Sequence, residues 1–334
     1  MSYFVAYSAF LFAPIAAFAF CGAAVWFMLR SGLALRLALD EPNARSLHTA
    51  SVPRVGGLAL VPVVAAAWWW LDVAPLLLLL MLALAAISYV DDRRGLPVAL
   101  RFGAHVGAAV AFVWNTHSDA TWWYVLPIVV GMVWMINLYN FMDGSDGLAG
   151  GMALFGFFGY GVAASISGAT QLAEMSFTVA SASLAFLCFN YHPARLFLGD
   201  VGSITIGFLA AALGLQGWVT GLWPWWFPPL VFLPFVADAT VTLLRRLLRG
   251  EKVWQAHREH YYQRLVRMGW GHRRTALVEY CLMAASGGSA LALLHASSRV
   301  QVAALILWCA LLAALMLIID RRWRAHVAAT EVTA

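Results

Sequence analysis

Five aspartates stand where the chain has few other acids. Asp91 and Asp92, Asp143 and Asp146, and Asp200 each fall in a glycine-containing segment beside an apolar run. A carboxylate at the edge of a membrane's hydrocarbon layer is expensive, so it faces a wet cavity or a partner. Brought together, like charges repel and some take up protons unless a cation bridges them. No cysteine pair or histidine pair accompanies these aspartates. An all-oxygen set of this kind favours Mg²⁺, which binds through one or two carboxylates, waters and substrate phosphates, over zinc. Any one aspartate alone reads equally well as a solvated helix-end charge; five on one face point to phosphate chemistry.

Two segments carry most of this signal. Residues 137–150 read Asn-Leu-Tyr-Asn-Phe-Met-Asp-Gly-Ser-Asp-Gly-Leu-Ala-Gly. Asn137 and Asn140 share a face if the helix reaches them, and Gly144 and Gly147 let the backbone turn tightly and approach a ligand. A polar loop wedged between two spans is tolerated when it lines a cavity or is buried in protein. Residues 190–203 place Asn190, Phe197, Asp200 and Ser203 around the start of the next helix, where free N–H groups favour anions; a simple N-cap is the alternative for Asp200. Farther on, His257, His260 and Arg264 share one face at helical spacing, presenting donors suited to a diphosphate or, alternatively, to anionic headgroups. His48, His272 and His326 read as ordinary exposed histidines, and His105 and His295 as packing residues. Asp238 and Glu279 lie inside apolar runs, where they could mark an ion path.

The elements that must position these residues are membrane helices. The chain has 334 residues, of which 63% are apolar and 11% charged, against roughly 25% charged in a soluble domain. Runs of about 20 apolar residues recur throughout, which predicts an all-α, polytopic integral membrane domain spanning residues 1–334. Eleven helices are expected at 4–29, 57–71, 74–90, 98–116, 122–139, 147–166, 172–189, 202–220, 225–244, 275–295 and 301–319. The first run lacks a basic flank and is long enough to span, so it reads as a helix rather than a cleavable signal. With the N-terminus outside (periplasmic), every one of the 21 Lys and Arg residues except Arg299 falls in a cytoplasmic stretch, the asymmetry that sets orientation. The aspartates, the 245–274 loop and the C-terminus then share the cytoplasmic side. Basic residues at span ends, with aromatics in or beside the bilayer, are not a nucleic-acid surface. The four scattered cysteines show no metal or disulfide spacing.

Taken in order, Pro42-Asn43-Ala44-Arg45 with Pro53-Arg54-Val55-Gly56-Gly57, Asp91-Asp92, Asn-x-x-Asn-x-x-Asp-Gly-x-Asp-Gly, Phe-Leu-Gly-Asp-Val-Gly-Ser and His-Arg-x-His form a specific set. Over about residues 40–275 the chain resembles the polyprenyl-phosphate N-acetylhexosamine-1-phosphate transferases, the superfamily that includes the phospho-MurNAc-pentapeptide transferases. The resemblance implies transfer of a sugar 1-phosphate from a UDP-N-acetylhexosamine to undecaprenyl phosphate, releasing UMP, at a bacterial inner membrane. It implies Mg²⁺ as cofactor, with Mn²⁺ as a substitute, and allows a homodimer among membrane lipids. Residue by residue, it implies Asp91 or Asp92 as base, Asp200 as metal ligand, Asn140, Asp143, Asp146, Asn190 and Phe197 around the nucleotide, and His257, Arg258 and His260 on the diphosphate. The last motif, His-Arg-Glu-His, departs from the three histidines of the peptidoglycan enzymes and looks more like enzymes that begin O-antigen, capsule or related surface glycans. A transporter or lipid flippase, motivated by Asp238, Glu279 and the many spans, is the competing class, although no internal repeat supports it.

Overall fold

Apolar runs interrupted by glycine, proline and charge become helices joined by short polar turns in a computed structural model that describes residues 2–40, 51–116, 122–252, 255 and 257–333. The motif residues Pro42, Asn43, Ala44 and Arg45, and His48, lie outside the described residues. The order is α1 (Ser2–Arg30), α2 (Leu33–Leu37), β1 (Leu39–Asp40), β2 (Val52–Pro53), α3 (Gly56–Trp70), α4 (Pro75–Arg94), α5 (Val98–Thr116), α6 (Trp122–Phe141) and α7 (Leu148–Ile166). Then follow α8 (Thr170–Asn190), α9 (Gly199–Val219), α10 (Phe227–Val231), α11 (Leu233–Leu248), α12 (Tyr261–Leu265), α13 (Gly271–Leu293) and α14 (Ser298–Thr333). The strands form a two-residue antiparallel pair, so the chain is an all-α, polytopic membrane protein.

Every segment expected to be a helix is helical, but not every one has the expected form. Among the described residues, nine helices are long and apolar enough to cross a membrane by length and composition. The segment expected at 57–71 is α3, whose 15 residues rise about 22 Å, short of a hydrocarbon core of about 30 Å. The helix expected at 225–244 is interrupted: α10 ends and α11 begins around Phe232. Pro228, Pro229 and Pro234 explain the break, since proline lacks an N–H donor and its ring clashes with the preceding turn. The last helix runs on to Thr333, well past 319.

Helix α9 forms the centre and packs on α3, α4 and α6, while α7 and α8 pack against each other and α1 covers α8. Small residues allow these close crossings, as expected where lipid provides no hydrophobic drive between helices. A Cβ on Gly57 would overlap the Gly202 backbone, and one on Gly207 would lie 2.9 Å from the Ile136 Cα. Phe20, Leu79, Ile306 and Leu307 are among the large apolar side chains left on the exterior. The crossings of α3, α6 and α8 with α9 and α7 bring the polar helix ends together at one end of the bundle.

Candidate active site

Helix α6 ends where its sequence turns polar, and its last turn carries Asn140 toward α9. Asn140 Nδ2 donates to Asp200 Oδ1 and to Ser203 Oγ, each at 2.9 Å. Asp200 occupies the first turn of α9, after Gly199 at φ 74, a left-handed conformation that glycine adopts without steric cost. Asn140, Asp143, Phe197 and Asp200 are all half-buried. Helix α6 reaches both asparagines, so Asn137 shares a face with Asn140 as expected; its amide turns back on its own helix, donating to the Val133 carbonyl at 2.7 Å.

Asp146 and Asn190, expected beside the nucleotide, are engaged by protein. Asp146 is 6% exposed, and its Oδ2 accepts from His192 Nδ1 at 2.6 Å and from the Ala194 amide at 3.1 Å. Asn190, 3% exposed, accepts from the Gly147 amide at 3.0 Å and donates to the Leu196 carbonyl at 2.9 Å. The two residues therefore lock the 141–147 loop to the 191–198 loop. A further partner is His272, which lies against the site rather than in solvent as expected: its Nδ1 is 2.8 Å from Ser145 Oγ, and its ring stacks on His192 at 5.6 Å. No spacing rule links residue 272 to residue 145; only the docking of α13 against α7 does.

The Pro53-Arg54-Val55-Gly56-Gly57 motif holds the entrance to α9. Phe197 donates its amide to the Pro53 carbonyl at 2.8 Å, while the Gly56 and Gly57 amides donate to the carbonyls of Phe197 and Leu198 at 2.9 and 2.8 Å. At the end of α4, Asp91 Oδ1 accepts from the Leu96 amide at 2.6 Å and Oδ2 from Arg101 at 2.9 Å. Both Asp91 oxygens are thus engaged in capping α4 and tying it to α5. Its neighbour Asp92 is half-buried on the same turn.

The histidine segment differs from expectation. Residues 257–260 precede α12 in extended and bent backbone, and His260, only 2% exposed, is the N-cap of α12 at φ −56, ψ 148. His257, His260 and Arg264 therefore do not form one helical face. What holds the segment is Asp238. Pro234, Asp238, Thr242 and Arg246 recur every fourth residue along the buried face of α11, as helical geometry requires. Asp238 Oδ1 accepts from the Tyr261 amide at 2.9 Å and Thr242 Oγ1 at 3.0 Å, and lies 3.1 Å from His260 Nδ1; Oδ2 accepts from the Tyr262 amide at 3.0 Å. One of the two acids that suggested an ion path is thus a loop anchor. The Tyr262 hydroxyl donates to the Phe141 carbonyl at 3.2 Å, joining this segment to the end of α6.

Charge surrounds the segment. Arg246 Nε donates to Glu251 at 2.7 Å, and Arg249 bonds both Glu251 and Glu259 at 2.6 Å. Hydrogen bonds from Arg249 and then Arg246 hold the Glu251 carboxyl down to about 2. Burial, followed by the charges of His260 and Arg246, lowers His257 to about 4, so its ring is neutral near pH 7. Its Nδ1 accepts from the Glu259 amide at 3.3 Å, leaving Nε2–H as the donor.

The structure brings Asn140, Asp200 and Ser203 into one hydrogen-bonded group, and it joins the histidine segment to the adjoining loop. It does not bring the five aspartates into one cage: among the described residues no three His, Cys, Asp or Glu side chains converge as a metal site. The half-buried carboxylate of Asp200, with Asn140 and Ser203 beside it, nonetheless suits a hard cation that draws its other ligands from water and phosphate.

A family model described as Glycosyl transferase family 4 matches residues 74–217. This segment runs from α4 to the end of α9. The chain is 28% identical over 266 residues to a probable undecaprenyl-phosphate N-acetylglucosaminyl 1-phosphate transferase of Bacillus subtilis, covering 73% of this chain and 74% of the relative. It is 27% identical over 302 residues to a decaprenyl-phosphate N-acetylglucosaminephosphotransferase of Mycobacterium tuberculosis, covering 74% of each. With an undecaprenyl-phosphate alpha-N-acetylglucosaminyl 1-phosphate transferase of Yersinia pestis it shares 28% identity over 274 residues, or 72% of this chain and 73% of the relative.

Proposed function

We propose that this chain, which belongs to glycosyl transferase family 4, transfers an N-acetylhexosamine 1-phosphate from a UDP-sugar to undecaprenyl phosphate and releases UMP, beginning a cell-surface glycan. The observation that carries this reading is the Asn140–Asp200–Ser203 group at the start of α9, where a helix N-terminus favours phosphate. The matching relatives bear names of this activity on undecaprenyl or decaprenyl phosphate.

In this reaction an oxygen of the lipid phosphate attacks the β-phosphorus of the UDP-sugar, and the bond to the bridging oxygen breaks as UMP leaves. Two anions must meet, so positioning and charge neutralisation dominate. Asp200 would hold Mg²⁺, with Mn²⁺ as a substitute; when bound, the ion supplies neutralisation of phosphate charge. Asn140 orients the Asp200 carboxylate, and Asp143 and Phe197 flank the nucleotide. Asp146 and Asn190 act on the nucleotide indirectly, by locking the two loops. Asp91 or Asp92 takes the proton of the lipid phosphate, whose second pKa is near 6 by analogy with phosphoamino acids. His257 donates Nε2–H to the diphosphate and Arg258 adds positive charge, while His260 sets the position of both.

The basic residues orient the chain with its N-terminus in the periplasm and the site on the cytoplasmic face of the inner membrane, through eleven crossings that include the interrupted α10–α11 and α3, whose short rise local thinning of the bilayer accommodates. A cysteine placed at Ser298 in a cysteine-free background should then react with an impermeant thiol reagent in intact cells, and one at Gln255 should not; the reverse pattern would overturn the orientation. The activity is tested by incubating purified protein with undecaprenyl phosphate and a panel of UDP-N-acetylhexosamines. At least one should yield a lipid-linked sugar. Movement of lipid phosphate across vesicles without any such product would instead favour a flippase.

A further inference from the structure

The C-terminal helix lies beyond the segment that the family model matches, and along its apolar length it is an outlying element. Along its apolar length almost all residues are exposed or only half-buried, Met316 being the exception. A cavity of about 230 Å³, lined by Leu265, Val278, Leu282, Leu312 and Leu315 among others, separates it from α11 and α13. Its principal packing partner is α12, the short helix that begins one residue after His260. Apolar contact with the body is limited to one face, where Ala304, Leu305 and Trp308 pack against the core and Met316 is buried.

A charged cluster adds a specific hold near its cytoplasmic end. Asp320 is 13% exposed in its side chain. Its Oδ1 accepts from Arg264 at 2.8 Å, its Oδ2 from Arg245 at 2.5 Å, and the Tyr261 hydroxyl lies 3.4 Å from Oδ2. Both guanidinium groups also lie over the Tyr261 ring, at 5.2 and 5.6 Å from its centroid. One turn farther on, Trp323 takes the Arg267 guanidinium on its face at 4.6 Å. Tyr261 is therefore gripped twice: Asp238 holds its backbone amide from α11, and the Asp320 cluster holds its side chain from α14. Arg264, with only 9% of its side chain exposed, has Glu259 at 3.7 Å as its other anion, so removing Asp320 leaves a poorly compensated buried cation.

We propose that Asp320 is a positioning residue for the donor site: through Arg264, Arg245 and Tyr261 it latches the C-terminal helix to the histidine segment and holds that segment where it meets the donor diphosphate. The inference rests on the transferase reading above for what the segment binds, but not for the existence of the latch. Asp320→Asn keeps the size of the side chain and removes its charge. Loosening a segment that contacts the donor both before and during chemistry raises KM with little change in kcat. A purely structural role would lower kcat through loss of folded enzyme and leave KM unchanged.

The test compares wild type, Asp320→Asn and Asp320→Glu as full-length protein in detergent, by UDP-sugar kinetics and by hydrogen exchange of peptides covering residues 257–265. Asp320→Asn is expected to raise the KM for the UDP-sugar about tenfold, the effect of one charge-assisted hydrogen bond, and to speed exchange in that peptide; Asp320→Glu should restore both. Unchanged exchange in Asp320→Asn overturns the latch. Faster exchange with an unchanged KM overturns its role at the donor site. If wild type transfers no sugar from any UDP-sugar, the function fails while the exchange result still decides the latch.

Discussion

The two halves of the site are held by different forces. The pair of loops at 141–147 and 191–198 is closed chiefly by short hydrogen bonds among residues of adjacent helix ends: Asn140 to Asp200, Gly147 to Asn190, Asp146 to His192. The histidine segment is held by charge, with Asp238 beneath it, Arg246 and Arg249 on Glu251 and Glu259, and Asp320 reaching in from α14. Hydrogen bonds of the first kind depend on residues a few positions from a glycine turn and vary little with salt. Exposed ion pairs such as Arg249–Glu251 are weak singly and screened. The donor-phosphate half should therefore be the more adaptable of the two.

The largest effect is expected at Asp200. Asp200→Asn should lower transfer by at least about 100-fold, as losing a preorganised electrostatic contact does. Chelation with EDTA should abolish activity and added Mg²⁺ should restore it. Full activity of Asp200→Asn in metal-free buffer would detach the loop half from metal chemistry.

The acids at the end of α4 give the next effect. Whichever of Asp91 and Asp92 is the base, its Asn variant should lower kcat about 100-fold, within the usual range for general base catalysis, and the deficit should shrink above the lipid phosphate's second pKa. Asp91→Asn also removes the acceptor of the Arg101 hydrogen bond and should cost about 1 kcal/mol in stability, read by thermal unfolding. Unchanged kcat in both variants would remove the pair from proton transfer.

Within the charged half, Asp238→Asn should raise the UDP-sugar KM and lower stability by about 2 kcal/mol, because a buried carboxylate holding two amides and a hydroxyl is replaced by a weaker acceptor. A normal KM with normal melting would show that the segment is held without it. The smallest effect concerns His257. Folding holds its ring neutral, with its value lowered to about 4 from 6.5, so between these values the unfolded chain binds the proton more readily. The stability that this group contributes is complete above about 6.5 and is lost as pH falls toward 4. His257→Gln should flatten the decline in melting temperature over that window, and an unchanged slope would remove His257 from it.

The helices were legible in the sequence because apolar runs of membrane length have few alternatives in lipid. So was the loop half: its motif residues lie within a few positions of the helix ends that carry them. Asp238 was visible only as an unexplained acid, since its partners Tyr261 and Tyr262 are more than twenty positions away and meet it only after α11 turns its fourfold-spaced face inward. His272 and Asp320 were hidden for the same reason, each depending on the docking of a distant helix. The interruption at Phe232 was signalled by Pro228, Pro229 and Pro234, which an apolar count passes over. Helical spacing misplaced His257 and His260, because the helix starts only at Tyr261, after both of them.

A sugar phosphate, rather than a sugar, should move to the lipid. Purified protein would be given undecaprenyl phosphate and an accepted UDP-N-acetylhexosamine labelled at the β-phosphorus, and the label followed. It should leave with the lipid while unlabelled UMP accumulates in equal amount. Label retained in UDP, with unlabelled sugar on the lipid, would contradict it.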